Sequence, residues 1–354
     1  MSEIDHLAER FPALGRGIRK TKLARLPTPV VAQRVRLAGR AYEMSIKCDN
    51  LTSELYGVNK VRKLEYLLSP PGRRPVRRFA TFGAVGSHHA LATALFARQA
   101  GFDCTCFLAH QRKSAAVPAT LNLLLQGGCE LVRYGGSYGN RIAMLRKYLW
   151  QRDARVIPLG GSSWYGTLGF VNAGLELAAQ IEAGELPVPE KLYVASGTMG
   201  TAAGLALGLA LAELPTTVQA VRVSHAQFAN EKILHKLMSK TALMMRRLDQ
   251  AIPRDLEKRV NIRMRHEFFA GGYAHSNAET DAALVFAEQQ LQLRLEATYT
   301  GKTLAALLSD LRHPAADEGP VLFWNTYNSV PLVIAADAPL DSERLPAEFL
   351  TYFS

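Results

Sequence analysis

Three short segments of the 354-residue chain gather side chains that can do chemistry. The first is Gly57-Val58-Asn59-Lys60-Val61-Arg62-Lys63-Leu64-Glu65-Tyr66-Leu67-Leu68, in which Val61, Leu64 and Leu68 share one helical face and Asn59 sits where the chain turns into the helix. Lys60 and Lys63 are one turn apart. Two ammonium groups held close repel, which favours a neutral amine on one of them, the form a Schiff-base lysine needs. On spacing alone a solvated basic helix start remains the simpler account. The second segment, Ser196-Gly197-Thr198-Met199-Gly200-Thr201, lies between an apolar strand pattern and an apolar helix pattern. It offers unpaired N–H groups, two glycines and three hydroxyls at a positive helix end, which makes it an anion cradle or else a plain chain reversal. It has neither the Gly-Lys-Thr/Ser of a P-loop nor a G-x-G-x-x-G, so a single phosphate without magnesium chemistry suits it better. The third is Ser87-His88-His89, where Ser87 can cap a helix and still face a ligand. No glycine follows Ser87 at the spacing of a nucleophile elbow, which argues against a serine hydrolase.

The elements that must position these residues read as α/β alternation: short apolar runs, Gly/Ser/Thr/His turns, then Ala- and Leu-rich helices. One unit is the strand 78–82, the turn 83–89 and the helix 90–99. A second runs from the strand 104–108 to a helix over 121–125, and a third from the strand 191–195 through the turn to a helix over 202–212. Helical patterns over 279–293 and 302–311 precede a strand over 320–324. Open sheets of this kind bind ligands at the carboxyl ends of their strands, so the turns that follow these three strands are where function is to be sought. The Pro/Arg-rich stretch 70–78 reads as a solvated loop and 182–190 as a surface connection.

Composition narrows the class further. With 48% hydrophobic and 21% charged residues the chain can bury a large core, and its length suggests two domains. The net charge of +11, from 42 Lys+Arg against 31 Asp+Glu, is spread along the chain without a nucleic-acid-binding motif, so it suits handling of anions better than DNA or RNA. Cys48, Cys104, Cys106 and Cys129 contain no C-x-x-C pair. They read as buried reduced thiols, without the spacing of a metal site. Acidic Glu3, Asp5 and Glu9 are unlike a secretory signal, and the uncharged stretch 194–212 is broken by Ser, Gly and Thr, so a soluble cytoplasmic protein with no membrane span is expected.

Taken together, the lysine helix start, the Ser87 turn and the Ser/Gly/Thr turn resemble the pyridoxal-phosphate enzymes of the tryptophan synthase β-subunit fold (fold type II). More narrowly they resemble the branch of D-cysteine desulfhydrase and 1-aminocyclopropane-1-carboxylate (ACC) deaminase. The resemblance runs from about Leu26-Pro27-Thr28-Pro29 to Pro331, and its most specific part is Asn59-Lys60-Val61-Arg62-Lys63-Leu64-Glu65-Tyr66-Leu67, close to N-K-x-R-K-L-E-[YF]-L. It implies two α/β domains, each an open twisted, mostly parallel sheet flanked by helices: a large cofactor-binding domain from residues 1–62 and 171–354, and a small inserted domain over 63–170. A homodimer is implied as well. Pyridoxal 5'-phosphate would be the cofactor and a small amino acid the substrate. Lys60 would carry the Schiff base and move protons at Cα. Lys63 and the turn Ser196, Gly197, Thr198, Met199, Gly200 and Thr201 would hold the phosphate, with Asn59 at the phenolic oxygen. Ser87 would lie near the substrate carboxylate. Tyr273 and Tyr299 would be the active-site tyrosines, one stacking on the ring and one serving as acid or base.

Position 300 separates the branches. The deaminases have Glu after the second tyrosine, to protonate the pyridine nitrogen, whereas this chain has Thr300. A hydroxyl there tolerates a neutral ring, which supports β-elimination but is poorer for opening a cyclopropane. Thr326 likewise departs from the deaminase residue. Val58 replaces the second Gly of G-G-N-K, His88 and His89 occupy the family's Q-S-N-[HQ], and Tyr327 fills glycine space in H-T-G-G. These changes at Ser87-His88-His89 and Thr326-Tyr327 imply an intact cofactor site with a remodelled substrate side. The expectation is a carbon–sulfur-lyase or deaminase type of reaction, D-cysteine desulfhydrase-like and not ACC deaminase. β-Replacement, racemisation, another deamination, or cofactor binding without catalysis are the alternatives.

Overall fold

We describe residues 5–37, 39–69, 75–114, 116–135, 154–313, 319–329 and 343–353 in a computed structural model of the chain. Residues 70–74 of the expected Pro/Arg loop, and Pro331 at the end of the family resemblance, lie outside them. The chain opens with α1 (His6–Arg10) and α2 (Pro12–Gly17), then the antiparallel hairpin of β1 (Val30–Leu37) and β2 (Arg40–Cys48), none of which the sequence pattern had marked. Next comes α3 (Lys60–Leu67), the expected lysine helix, every residue of which after Lys60 is buried.

The unit expected around Ser87 forms as β3 (Arg78–Ala84) and α4 (His88–Gln99), with Ser87 as the cap whose hydroxyl accepts from the Ala90 N–H at 3.3 Å. Then follow β4 (Asp103–Ala109), α5 (Ala116–Gln126), β5 (Glu130–Arg133) and β6 (Ala154–Val156). These four strands pair in parallel in the order β5-β4-β3-β6. The pairing of Thr105 with Glu130 sets Cys129 beside Cys104 and Cys106, and the three thiols lie within 4.8 Å of one another, all buried. Linear spacing had set these residues apart from any common site. Register brings them together, although a tetrahedral zinc site needs a fourth ligand.

After α6 (Trp164–Glu182), the strands β7 (Lys191–Ser196), β8 (Thr217–Arg222), β9 (Ile262–Arg265) and β10 (Val321–Asn325) join the hairpin in a second sheet of order β1-β2-β10-β7-β8-β9, parallel except at β1. Its helices are α7 (Gly200–Leu211), α8 (Glu231–Leu248), α9 (Ala278–Leu291) and α10 (Thr300–Arg312). α7 is buried on every side, which is why its sequence is apolar throughout and looked long enough to approach a membrane span. Among the described residues no helix is long and apolar enough to cross a membrane. The architecture is α/β, with two mostly parallel sheets flanked by helices.

Two features depart from the expected division. Residues 62/63 and 170, where the small domain was to begin and end, fall inside α3 and α6, continuous helices that pack together. The approach is close because Gly169 has no side chain: a Cβ there would stand 2.0 Å from the Arg62 carbonyl oxygen. The chain's final turn is the second. Leu345, Phe349 and Tyr352 share a core with Phe79, Leu91 and Cys106 of the four-stranded unit, away from the six-stranded sheet.

Candidate active site

A block of buried charge fixes α3 in place. The Arg62 guanidinium donates to Asp49 at 2.7–3.0 Å and to Glu176 at 2.8–3.0 Å, and Lys47 donates to Glu176 at 2.6 Å. The indole of Trp324 donates to Asp49 at 2.7 Å. Two cations face two anions, each carboxylate oxygen has at least one donor, and burial is tolerable on those terms. Glu176 is held well below the usual carboxylate range by Arg62 and then Lys47, against its burial. On the other flank Glu65 accepts from the N–H groups of Leu23 and Ala24 at 3.1 and 3.0 Å and pairs with Lys20 at 3.3 Å. The helix is thus anchored from β2, α6 and β10 as well as from the chain's beginning. The sequence showed the motif but not these partners.

Anchoring α3 aims Lys60 and Lys63 into a cavity of about 640 Å³ between the two sheets. Lys60 donates to the side-chain amide oxygen of Asn59 (Oδ1) at 2.7 Å, and its amine stands 5.3 Å from the centre of the Tyr299 ring. Burial brings its pKa down to about 8 against an upward pull from Glu296. Lys63 is lowered well below the lysine range, first by burial and then by the charge of Lys60. It has no carboxylate partner among the described residues. Its donors go to the Gly160 carbonyl at 3.1 Å and the Ser162 hydroxyl at 3.5 Å.

Around Lys63 the predicted turn closes as a cradle. Met199 adopts the left-handed conformation (φ 67°) just ahead of α7, an uncommon state for a residue with a side chain and a mark of local constraint. The Ser162 and Thr198 hydroxyls lie 2.7 Å apart, the Gly200 N–H reaches Ser162 at 3.1 Å, and Asn59 donates to Thr201 at 3.2 Å. At Gly200 a Cβ would come within 2.6 Å of the Ser162 Oγ and 3.0 Å of the Lys63 Nζ. A desolvated amine without a carboxylate partner among the described residues, several hydroxyls, a helix N-terminus and space kept open by a glycine are the donor set of a phosphate site. Ser162 was not singled out from sequence, although Gly160-Gly161-Ser162-Ser163 ahead of α6 carries the same Gly/Ser signal.

The wall beyond Lys60 holds Ser87, His89, Tyr273, Tyr299 and Thr326. The Tyr299 hydroxyl donates to that of Tyr273 at 3.0 Å. Burial raises both phenols, Tyr273 to about 12 and Tyr299 well above the usual phenol value, so both are protonated near neutrality. His89 is pushed down to about 3, mainly by burial and then by the two lysines, and is neutral; it shares a hydrogen bond of 3.0 Å with Thr81. Lys302 braces the turn before Tyr273 by donating to the carbonyls of Phe269 and Gly272 at 2.8 and 2.7 Å.

Four sequence-selected residues stand elsewhere. Thr300 is fully buried and gives its hydroxyl to Glu296, whose carboxylate also accepts the N–H groups of Thr298, Tyr299 and Thr300 at 2.7–2.8 Å and so caps α10. Sequence reading missed Glu296 because a cap contributed from outside the helix leaves no periodic signal. His88 turns to Tyr56, 2.5 Å from its hydroxyl, with the Tyr327 ring packed edge-on, so both lie behind the cavity wall. Val58 is buried in the core of the four-stranded unit. The departures at 58, 88 and 327 therefore gather off the wall, and the remodelling expected of the pocket itself is confined to packing behind it.

With this geometry the chain belongs to the pyridoxal-phosphate dependent enzymes, a family that matches residues 16–326. It is 32% identical to a D-cysteine desulfhydrase of Klebsiella pneumoniae over 80% of this chain and 86% of that one, and 31% identical to a D-cysteine desulfhydrase of Yersinia enterocolitica over 91% and 96%. A solved structure of an ACC deaminase homologue superposes with a TM-score of 0.73 at 28% identity, covering 89% of this chain and 93% of that one. Pyridoxal phosphate is the family's cofactor, and the donors around Lys63 fit its phosphate.

Proposed function

We propose that the protein is a pyridoxal-phosphate-dependent lyase that acts on a small amino acid by removing the Cα proton and expelling a β-substituent, as a D-cysteine desulfhydrase does. The observation that carries this reading is the pair Lys60 and Lys63, two desolvated amines in one cavity without carboxylate partners among the described residues, the second inside the hydroxyl-lined cradle. Lys63, Ser162, Thr198 and Thr201 would hold the cofactor phosphate and Lys60 its aldehyde carbon. When bound, the cofactor supplies the electron sink for Cα chemistry.

The protein's own groups do the rest. With a pKa near 8, Lys60 has a substantial neutral fraction near neutrality and can take the Cα proton; Asn59 keeps the amine oriented. Ser87 presents its hydroxyl at the N-terminus of α4, where positive helix potential suits the substrate carboxylate. The protonated Tyr273–Tyr299 pair can give a proton to a leaving β-substituent, which departs with its bonding electrons. A homodimer and a cytoplasmic location belong to the same reading.

The test is product analysis over D- and L-amino acids, scoring keto acid, sulfide and inverted amino acid, in wild type and Lys60→Ala. Keto acid from a β-substituted substrate is expected, falling about a thousandfold or more in Lys60→Ala together with loss of cofactor absorbance at the violet edge. Inverted amino acid would indicate racemisation instead, and an unchanged yellow Lys60→Ala protein would sink the assignment.

A further inference from the structure

One property of the cavity is not used by this chemistry. Among the described residues lining it there is no Asp or Glu, while Lys60, Lys63 and Arg112 face it together with His89, His110, His225 and His275. A cleft lined by one sign of charge concentrates the opposite ion. Two of the cations are spoken for by the cofactor. Arg112 is not: it follows β4 at the rim, is exposed, and has no hydrogen-bond or ion-pair partner among the described residues. Across the mouth Gln227, after β8, and His275, before α9, line the cavity, and their side chains have no hydrogen-bond partner among the described residues either. The β4 rim is itself held in place. The Tyr352 hydroxyl accepts from the Gln111 N–H at 3.1 Å and donates to its carbonyl at 2.9 Å, so the loop that carries Arg112 is tied down on the adjacent residue.

We propose that Arg112, Gln227 and His275 form a receptor for a second anionic group, so that the preferred substrate is an amino acid whose side chain ends in a carboxylate, sulfonate or phosphate. The inference rests on the lyase reading for the site's chemistry, and on the unpartnered rim donors for its own content. A planar guanidinium suits a carboxylate, sulfonate or phosphate through paired N–H donors, and a cavity without carboxylates rejects cationic side chains.

Two arms separate the two readings. Turnover of D- and L-β-chloroalanine, whose chloride is an easy leaving group and whose side chain is uncharged, reports on the lyase chemistry alone. Binding to the Lys60→Ala protein loaded with pyridoxal phosphate, measured by calorimetry with serine, aspartate, cysteate and O-phosphoserine of both configurations, reports on the receptor. At least one anionic ligand should bind about tenfold or more tightly than serine, and Arg112→Ala should erase most of that ratio. The carboxylate, sulfonate and phosphate arms show which anion fits. Equal affinity for serine and all three anions, or a preference that survives Arg112→Ala, overturns this proposal and leaves the lyase reading standing. Failure to turn over β-chloroalanine counts against the lyase reading, while the binding ratio still decides the receptor.

Discussion

Lys60 shows how much of this site is set by desolvation. Its amine faces a cavity without a carboxylate among its described lining, and burial brings its pKa to about 8, so the neutral form grows as pH rises toward that value. In cofactor-free protein the rate of cofactor attachment should therefore rise about tenfold per pH unit below pH 8 and level off above it. Stopped-flow absorbance checks this, and a rise continuing to pH 10 would show an ordinary solvated lysine. Turn signatures drew attention to the segments of Lys60 and Ser87, while the family resemblance was needed to give Lys60 its role and to single out Tyr273 and Tyr299. Glu296, Ser162 and Arg112 were not legible in that way. Their roles come from what faces them across the fold, such as Ser162 standing 2.7 Å from Thr198.

α3 is short, eight residues, yet nearly all of it is buried, and what holds it is polar. Replacing Arg62 with Met would leave Asp49 and Glu176 buried with Lys47 as their only cation. Such a change is expected to cost about 3–5 kcal/mol, read as a lower urea midpoint with an unchanged slope. Joint replacement of Lys47, Asp49, Arg62 and Glu176 by apolar residues should cost far less, which distinguishes an unpaired charge from lost packing. Helices with amphipathic or wholly apolar faces, such as α7 and α10, could be read in sequence within a few residues of their ends. The β1–β2 hairpin and α6 could not. β1 is largely exposed at a sheet edge, and α6 is buried along most of its length, so neither carries a clean alternation.

For the molecule as a whole, length suggested two domains, and two sheets with separate cores are present. The division is less modular than expected. α3 and α6 run across it, and the last turn returns to the four-stranded unit, where Tyr352 holds the loop at the cavity mouth. Tyr352→Phe should raise KM more than it lowers kcat and lower stability by about 1–3 kcal/mol, measured by steady-state kinetics and thermal denaturation. An equal fall in kcat would mean that the loop acts on the chemistry instead of the mouth. The net charge of +11 also gains a partial account, since Lys60, Lys63 and Arg112 face one cavity without an acidic residue among its described lining. The buried quartet of Lys47, Asp49, Arg62 and Glu176 carries a consequence for descent. No member can change alone without stranding a charge, so substitutions among relatives should arrive at these positions together. The register of the lysine helix would then be preserved over evolutionary time by residues that never meet the substrate.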